Sequence, residues 1–444
     1  MIKDKTVPNM FIRGAVELPP EIDATISRRE RLLGPAYRLL YQKPLKFARG
    51  EGVWLYDEAG RSYLDAYNNV MSVGHCHPKV AEAVARQSRS LTVHMRYLHD
   101  SILDYAELLT STMPDGLSQL MMTCSGSEAN DLAYRIAADH TGGTGIIITD
   151  FAYHGITRAV SEFSASLGET VDLGSHVRQV PAPDLYRSAS GDVGGDFETH
   201  VRAAIADLKR HGIKPAMLIV DTVFTSDGLL TEPKGFLKGA VAAIHEAGGL
   251  FVADEVQPGF GRTGEAMWGF QRHGVMPDIV TMGKPMGNGY PVAGLVARPE
   301  VVEAFGKKGR YFNTFAGNPV AAEAAKATLE VVLGEGLQQN ALEVGGRMRA
   351  ELERLAGKYP IIGDVRHAGL FAAVEIVKDR ATKEPDGELA HLVVNGLREE
   401  GVLISASGKS GNIFKIRPPL VFSTANVDYF IERLDRVMAG LEQG

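Results

Sequence analysis

Four short apolar runs constrain this chain more than any other feature: Gly145-Ile146-Ile147-Ile148-Thr149-Asp150, Ala216-Met217-Leu218-Ile219-Val220-Asp221, Leu250-Phe251-Val252-Ala253-Asp254 and Asp278-Ile279-Val280-Thr281-Met282. Their apolar residues are consecutive rather than alternating, so each run reads as a strand buried on both faces. Stretches of helical periodicity separate them, which implies right-handed crossovers. The pattern predicts an α/β fold with a mainly parallel sheet covered by helices on both sides.

Outside that core, Pro78–Ser90 and Ile102–Met113 read as amphipathic helices, and Ile26–Leu40 also has helical character. Val53–Tyr56 and Ser62–Asp65, joined across Asp57–Gly60, read as a hairpin. After Asn318 the texture changes to helices over Pro319–Leu333, Leu337–Gly357, Leu389–Glu400 and Ala425–Leu441, with strands over Leu370–Val377, Val402–Ala406 and Ile413–Ile416. At 444 residues the chain exceeds one ordinary core. The expected division is an N-terminal segment, 1–75, contributing to a small domain, a large ligand-binding domain, 76–330, and a small C-terminal α+β domain, 331–444.

A balance of 47 Lys and Arg against 54 Asp and Glu leaves a net charge of −7, with no basic stripe for nucleic acid or an anionic membrane. No apolar run approaches the roughly 20 residues of a membrane span. Met1–Lys5 lacks the apolar core of a secretory signal. Two cysteines, Cys76 and Cys124, cannot form a disulfide framework, and a cytoplasmic location is expected.

In open α/β sheets ligands gather beyond the carboxyl ends of the strands. Three of the predicted strands end in Asp150, Asp221 and Asp254, and the fourth runs into Gly283-Lys284. A charge buried at a strand end requires an ion pair or a ligand. Upstream, Ser125-Gly126-Ser127-Glu128-Ala129-Asn130 opens a helix. Its free N–H groups and glycine suit a phosphate, although a plain serine N-cap would read the same way. Gly259-Phe260-Gly261-Arg262-Thr263-Gly264 matches a dinucleotide fingerprint only superficially, because Glu255-Val256-Gln257-Pro258 separates it from the strand and no apolar helix face follows. His75-Cys76-His77 is poorly spaced for zinc and has no second ligand cluster.

What remains is an anion-binding helix start, an acid ending one strand, a lysine after the next, and an aromatic at Tyr153-His154-Gly155. Pyridoxal 5'-phosphate needs these parts: a phosphate site, a lysine for its aldehyde, a carboxylate at its ring nitrogen and an aromatic on its ring face.

From about residue 35 onward the chain resembles the class III aminotransferases, a family of fold-type I pyridoxal-phosphate enzymes with a large α/β domain and a small α+β domain. The matching segments are Gly74–Pro78, Ser125–Asn130, Tyr153–Gly155, Phe251–Gly264, Met282–Asn288 and Phe312–Pro319. The resemblance implies that Lys284 is the Schiff-base lysine and proton shuttle, and that Asp254 pairs with the ring nitrogen. It implies that Val256 packs opposite Tyr153, that Gln257 reaches the phenolic oxygen, and that Gly126 and Ser127 hold the phosphate. Thr314 would reach that phosphate from a neighbouring subunit, so a homodimer with shared sites is expected, with a tetramer possible. His154 is left as a structural hydrogen-bonder.

Arg417, in Lys415-Ile416-Arg417-Pro418-Pro419, matches the position that grips a substrate carboxylate in the family. Relatives acting on ω-amino acids neutralise this arginine with a glutamate, and here Ser226 stands in its place. Arg417 should then stay available to an anionic tail, helped by groups near Asn68 and Tyr97. The resemblance implies a small-molecule amine substrate and amino transfer to a keto acid. The alternative is elimination of phosphate and ammonia from ethanolamine phosphate or a similar amine. Tyr67–Val70, Arg96–Asp100, Met282–Gly289 and Leu403–Ala406 lean toward such phospho-lyases. A non-catalytic, cofactor-binding regulator is a minor third reading, with no DNA-binding pattern near the N-terminus to support it.

Overall fold

The computed structural model of the chain describes residues 9–442 and aligns the four predicted runs in one seven-stranded sheet. Along the chain come α1 (Pro20–Leu33), the strands β1 (Phe47–Glu51), β2 (Trp54–Asp57) and β3 (Ser62–Asp65), then α2 (Pro78–Ser90) and α3 (Asp100–Thr110). The large sheet begins with β4 (Gln119–Thr123), α4 (Gly126–Thr141), β5 (Gly145–Thr149), α5 (Arg158–Ser161), β6 (Val177–Val180), α6 (Val193–Arg210) and β7 (Pro215–Asp221). It continues through α7 (Lys238–Glu246), β8 (Leu250–Asp254), β9 (Ile279–Met282), β10 (Ala293–Ala297) and α8 (Pro299–Lys308). Two long helices follow, α9 (Pro319–Gly334) and α10 (Leu337–Lys358), and then β11 (Ile362–His367), β12 (Ala372–Asp379) and β13 (Glu384–Pro385). The chain closes with α11 (Gly387–Glu399), β14 (Val402–Leu403), β15 (Ser405–Ser407), β16 (Ile413–Ile416) and α12 (Thr424–Glu442).

The large sheet has the order β4-β10-β9-β8-β7-β5-β6. It is parallel except at β10, which runs antiparallel to both β9 and β4. Ile146, Ile147, Ile148, Leu218, Ile219, Phe251 and Val252 are fully buried, as a sheet covered on both faces requires. One register decides the site's layout: Asp221 lies opposite Asp254, and Asp254 opposite Thr281, so the ends of β7, β8 and β9 form one carboxyl-terminal rim.

Two smaller sheets stand beside it. β11, β12, β16 and β15 form an antiparallel sheet, with β13 added against β12. β1, β2 and β3 form a meander that β14 joins in parallel, tying the N-terminal segment to the last third of the chain.

Two sequence expectations are corrected. The single strand expected over Val402–Ala406 is broken at Ile404: β14 pairs with β3, while β15 pairs with β16, so the chain changes sheets within one apolar run. The first helix ends at Leu33 rather than Leu40, because Gly34 takes φ 71° and Pro35 follows. The false fingerprint serves packing. Gly261 and Gly264 have φ of 74° and 73° and press on α10, where a Cβ on Gly264 would lie 2.6 Å from the Leu342 nitrogen. Among the described residues no helix is long and apolar enough to cross a membrane.

Candidate active site

A cleft at the rim is lined by Gly126, Ser127, Tyr153, His154, Gly155, Asp221, Asp254, Val256, Gln257 and Lys284. Seven of the eleven residues singled out from sequence are therefore in one place: Gly126, Ser127, Tyr153, Asp254, Val256, Gln257 and Lys284.

Asp254 is held from three sides. Its Oδ2 accepts from His154 Nδ1 at 2.8 Å and from Asn130 Nδ2 at 3.0 Å, and its Oδ1 accepts from the Val256 backbone N–H at 3.1 Å. Asn130 also donates to the His154 carbonyl at 2.7 Å and accepts from the Thr281 hydroxyl at 2.7 Å. Two acceptors on one side and a hydroxyl on the other leave that amide a single orientation. The carboxylate can only accept, so His154 Nδ1 carries a proton, while its Nε2 is buried without a partner. His154 is a structural hydrogen-bonder whose partner is Asp254. Asn130, the last residue of the Ser125–Asn130 run, carries the same function, and its position two helical positions beyond Glu128 was the available signal.

Lys284 follows β9 by two residues and faces this carboxylate across the rim. Burial pushes its amine down to about 8, with Arg417 adding to the depression and Asp254 and Asp221 opposing it. Burial and the nearby Asp254 push the Asp221 carboxyl up, against the Thr225 hydroxyl, the Val223 N–H at 3.0 Å and Lys415. The Tyr153 phenol is pushed up by burial and by Asp254.

The opposite wall is built from glycine. Gly126 opens α4, with Ser125 as N-cap accepting from the Glu128 N–H, and a Cβ on Gly126 would meet Val256 Cγ2 at 3.0 Å. Gly155, at φ 140°, passes so close that its Cβ would lie 2.4 Å from Ser127 Oγ, which accepts from the Ile156 N–H at 3.1 Å. Side chains are excluded from this corner, so backbone N–H groups and one hydroxyl are what a ligand would meet.

Arg417 comes from the small sheet, directly after β16, anchored by its N–H to the Ala66 carbonyl at 2.9 Å. The side chain is only 7% exposed. It donates to Gln257 Oε1, lies over the Tyr67 ring at 4.7 Å, and leaves Nε buried without a partner. Two residues back on the same face of the strand is Lys415, which the sequence reading did not single out. Burial, then the charges of Arg417 and Lys284, hold its amine well below the usual lysine range, with Asp221 pulling the other way. The period-2 spacing of Lys415 and Arg417 in an apolar strand was the legible sign. Behind them Arg262, 2% exposed, donates to the Leu370 carbonyl at 3.0 Å and to that of Pro418. Burial, aided by Arg417, pushes its guanidinium down to about 9.

The remaining predicted residues lie apart from the cleft lining. Asn68 is turned to Asp65, donating from Nδ2 at 3.1 Å, and its neighbour Tyr67 meets Arg417 instead. Tyr97 is 61% exposed and stacks on His94 with centroids 5.0 Å apart, while Phe312 meets the same histidine edge-on. Thr314 is exposed on the segment that Asn313 ties to α4 through Glu128 at 3.2 Å. Tyr97 and Thr314 therefore belong to one outer surface, with Leu98 and Phe315 exposed on the same two segments.

A doubly wound sheet with a lysine and an aspartate on adjacent strand ends, faced by a glycine-lined helix start, defines the fold-type I pyridoxal-phosphate enzymes. The model of the family described as aminotransferase class III matches residues 40–438. The chain belongs to that family, whose members depend on pyridoxal phosphate, and is an enzyme. It is 40% identical over 422 residues to a fruit-fly (Drosophila melanogaster) protein named alanine–glyoxylate aminotransferase 2-like, covering 92% of this chain and 85% of that one. It is 37% identical to ethanolamine-phosphate phospho-lyase homolog 1 of Caenorhabditis elegans, covering 93% and 92%. Among solved structures, a phospholyase from Arthrobacter in complex with phosphoethanolamine superposes with a TM-score of 0.91 at 42% identity, covering 94% of this chain and 99% of that one. Aminotransferase and phospho-lyase readings both fit these relatives.

Proposed function

We propose that this chain is a pyridoxal-phosphate-dependent phospho-lyase that removes phosphate and ammonia from a small phosphorylated primary amine such as ethanolamine phosphate. One observation carries the choice over amino transfer. Arg417, buried directly after β16 and donating to Gln257 of the cleft, has no carboxylate at ion-pair distance among the described residues, and neither has Lys415 two residues before it. An uncompensated buried charge costs roughly 3–5 kcal/mol, so the Arg417 guanidinium calls for an anion, and Lys415 two residues away suits one with more than one charge. The relative solved with phosphoethanolamine points the same way. Amino transfer to a keto acid, the activity named in the fruit-fly relative, is the second reading and uses the same lysine and carboxylate.

The cleft fits the cofactor. Gly126 and Ser127 would hold its phosphate where no Cβ fits, Tyr153 and Val256 would flank its ring, Gln257 would reach its phenolic oxygen, and Asp254 would keep a proton on its ring nitrogen. Bound there, pyridoxal phosphate supplies an electron sink for charge left on the substrate carbon. Lys284 takes and returns the proton at that carbon, and its lowered basicity leaves neutral amine present near pH 8. Arg417 and Lys415 orient the tail, and Arg262 deepens the positive field behind them. Thr314 would complete the phosphate site of a second copy, with the Tyr97 and Phe315 surface forming the contact between copies. We also read 76–330 as the large domain and 331–444 with the N-terminal segment as the small one.

The deciding experiment mixes holoenzyme with ethanolamine phosphate, without keto acid, and follows inorganic phosphate and the cofactor spectrum together. Catalytic phosphate release with the aldehyde form retained is expected. Conversion to the amine form without phosphate release would instead establish amino transfer. Arg417→Ala should raise KM for the phosphorylated amine about 10- to 100-fold, the value of roughly 1.5–3 kcal/mol for hydrogen bonds to a charged group, and leave a neutral amine unaffected. Equal losses for both amines would remove Arg417 from tail recognition.

A further inference from the structure

We propose that Tyr67 sets the preference for an anionic tail, by holding the Arg417 guanidinium in place without neutralising it. The inference rests on the reading above of Arg417 as the clamp for a charged tail. It makes Tyr67 a positioning residue that acts through that clamp.

An arginine side chain has many rotamers, and ordering one costs conformational entropy. A carboxylate partner is the common means of holding it, but a carboxylate would also cancel the charge that an anionic tail must meet. Here the groups that hold Arg417 are uncharged. Its backbone is set first. Pro418 restricts Arg417 to extended conformations. The Arg417 N–H donates to the Ala66 carbonyl at 2.9 Å, and the Leu420 N–H donates to the Ser72 carbonyl at 2.7 Å. Residues 417–420 are therefore stitched to residues 66–72 at both ends. Between the stitches Tyr67 lays its ring against the guanidinium, with 4.7 Å from Cζ to the ring centroid. Arg417 Nη1 donates to Gln257 Oε1 in the cleft. An aromatic face attracts a cation through its quadrupole and carries no net charge. The Gln257 amide is neutral as well, so both groups orient the clamp and leave its charge to the tail.

Tyr67 is in turn fixed by Asp65, which ends β3 and is fully buried. Asp65 Oδ1 accepts from the Tyr67 N–H at 3.0 Å and from the Asn68 N–H at 2.9 Å. Its Oδ2 accepts from Asn68 Nδ2 at 3.1 Å and from His75 Nε2 at 2.7 Å. An aspartate that accepts from the N–H groups two and three residues on closes a tight turn. That turn fixes the direction in which Tyr67 leaves the backbone. It also spends the acid's lone pairs on 67–75, so the loop that presents the ring to Arg417 does not present a carboxylate to it.

The test compares Tyr67→Leu, which removes the aromatic face, with Tyr67→Phe, which keeps it, each with and without Arg417→Ala. Holoenzyme is mixed rapidly with ethanolamine phosphate, or with ethanolamine, which has the amine and lacks the charged tail. The initial change in cofactor absorbance gives Kd for each. Tyr67→Leu is expected to weaken ethanolamine phosphate about tenfold, within the range of a desolvated cation–π contact. It should hold ethanolamine within about twofold, which also shows that the site is folded, since the lost contact acts only on charge. Tyr67→Met serves in its place if the leucine variant does not load cofactor. Tyr67→Phe should stay within about threefold of wild type for both amines, because the ring face is kept. On top of Arg417→Ala, Tyr67→Leu should add less than about twofold, because the residue it positions is gone. Equal losses for both amines in Tyr67→Leu would mean that the ring only packs the cleft, and would overturn the proposal. So would a loss in Tyr67→Phe as large as in Tyr67→Leu, or an undiminished loss on top of Arg417→Ala. Arg417→Ala that binds ethanolamine phosphate as wild type does removes the tail reading of Arg417 itself, and this proposal with it. Failure at Tyr67 with Arg417→Ala still impaired leaves that reading standing.

Discussion

Lys284→Ala should lower turnover by roughly four orders of magnitude, because one residue is expected both to bind the cofactor covalently and to move the substrate proton. Its position admits little substitution. It stands two residues past β9, facing a carboxylate that β8 holds in register with Thr281. Its amine, depressed to about 8, is substantially neutral at a pH where an ordinary lysine is not. A lowered lysine pKa means that the reactive neutral form accumulates as pH rises through about 8, so capture of free cofactor by the apo chain should accelerate across that range rather than two units higher. Borohydride reduction of the wild-type holoenzyme should leave the cofactor's mass on the peptide containing Lys284, and in the alanine variant that mass should disappear. Its persistence would place the linkage elsewhere, and peptide mapping would distinguish Lys415, the other lysine with a depressed amine among the described residues.

How much of this was legible in the sequence follows from which forces act locally. The four core strands were legible because a strand buried on both faces must be continuously apolar, and Asp254 and Lys284 stood out as charges at the ends of such runs. The glycine corner was visible as Ser125–Asn130 and Tyr153–Gly155, though not that Gly155 presses on Ser127. Contacts made between distant segments were hidden. Arg417 pairs with Gln257, 160 positions away, and lies on Tyr67 rather than meeting Asn68. Residues 402–407 change sheets at Ile404, which no periodicity could announce, because each half is strand-like by itself. Lys415 escaped notice because a single lysine in a strand usually marks a solvent-facing edge, although its period-2 spacing from Arg417 was visible.

Asp254→Asn should reduce kcat by about 10²- to 10³-fold while the cofactor stays bound, the range observed when one preorganised electrostatic group is removed. The loss has two sources that the geometry separates. The first is charge: a neutral amide cannot keep a proton on the ring nitrogen, so the negative charge left at the substrate carbon is stabilised less. The second is orientation. Oδ2 accepts from His154 Nδ1 and Asn130 Nδ2, and Oδ1 accepts from the Val256 N–H, so every hydrogen-bond partner of this carboxylate is a donor. An amide at position 254 sets its own NH2 against one of those donors whichever way it turns. Turned toward Val256, it opposes a rigid backbone N–H. Turned toward His154, it opposes an imidazole whose other nitrogen is already buried without a partner. Asn130→Ala, which keeps the charge and removes only an orienting bond, should therefore lose much less, about tenfold, as one hydrogen bond to a charged group is worth roughly 1.5–3 kcal/mol and His154 still holds the same oxygen. Comparing kcat and the pH dependence of the cofactor spectrum in the two variants separates charge from orientation. Asp254→Asn with activity within a few-fold of wild type would exclude the carboxylate from the reaction, whereas equal losses in both variants would mean that placing the carboxylate matters as much as its charge.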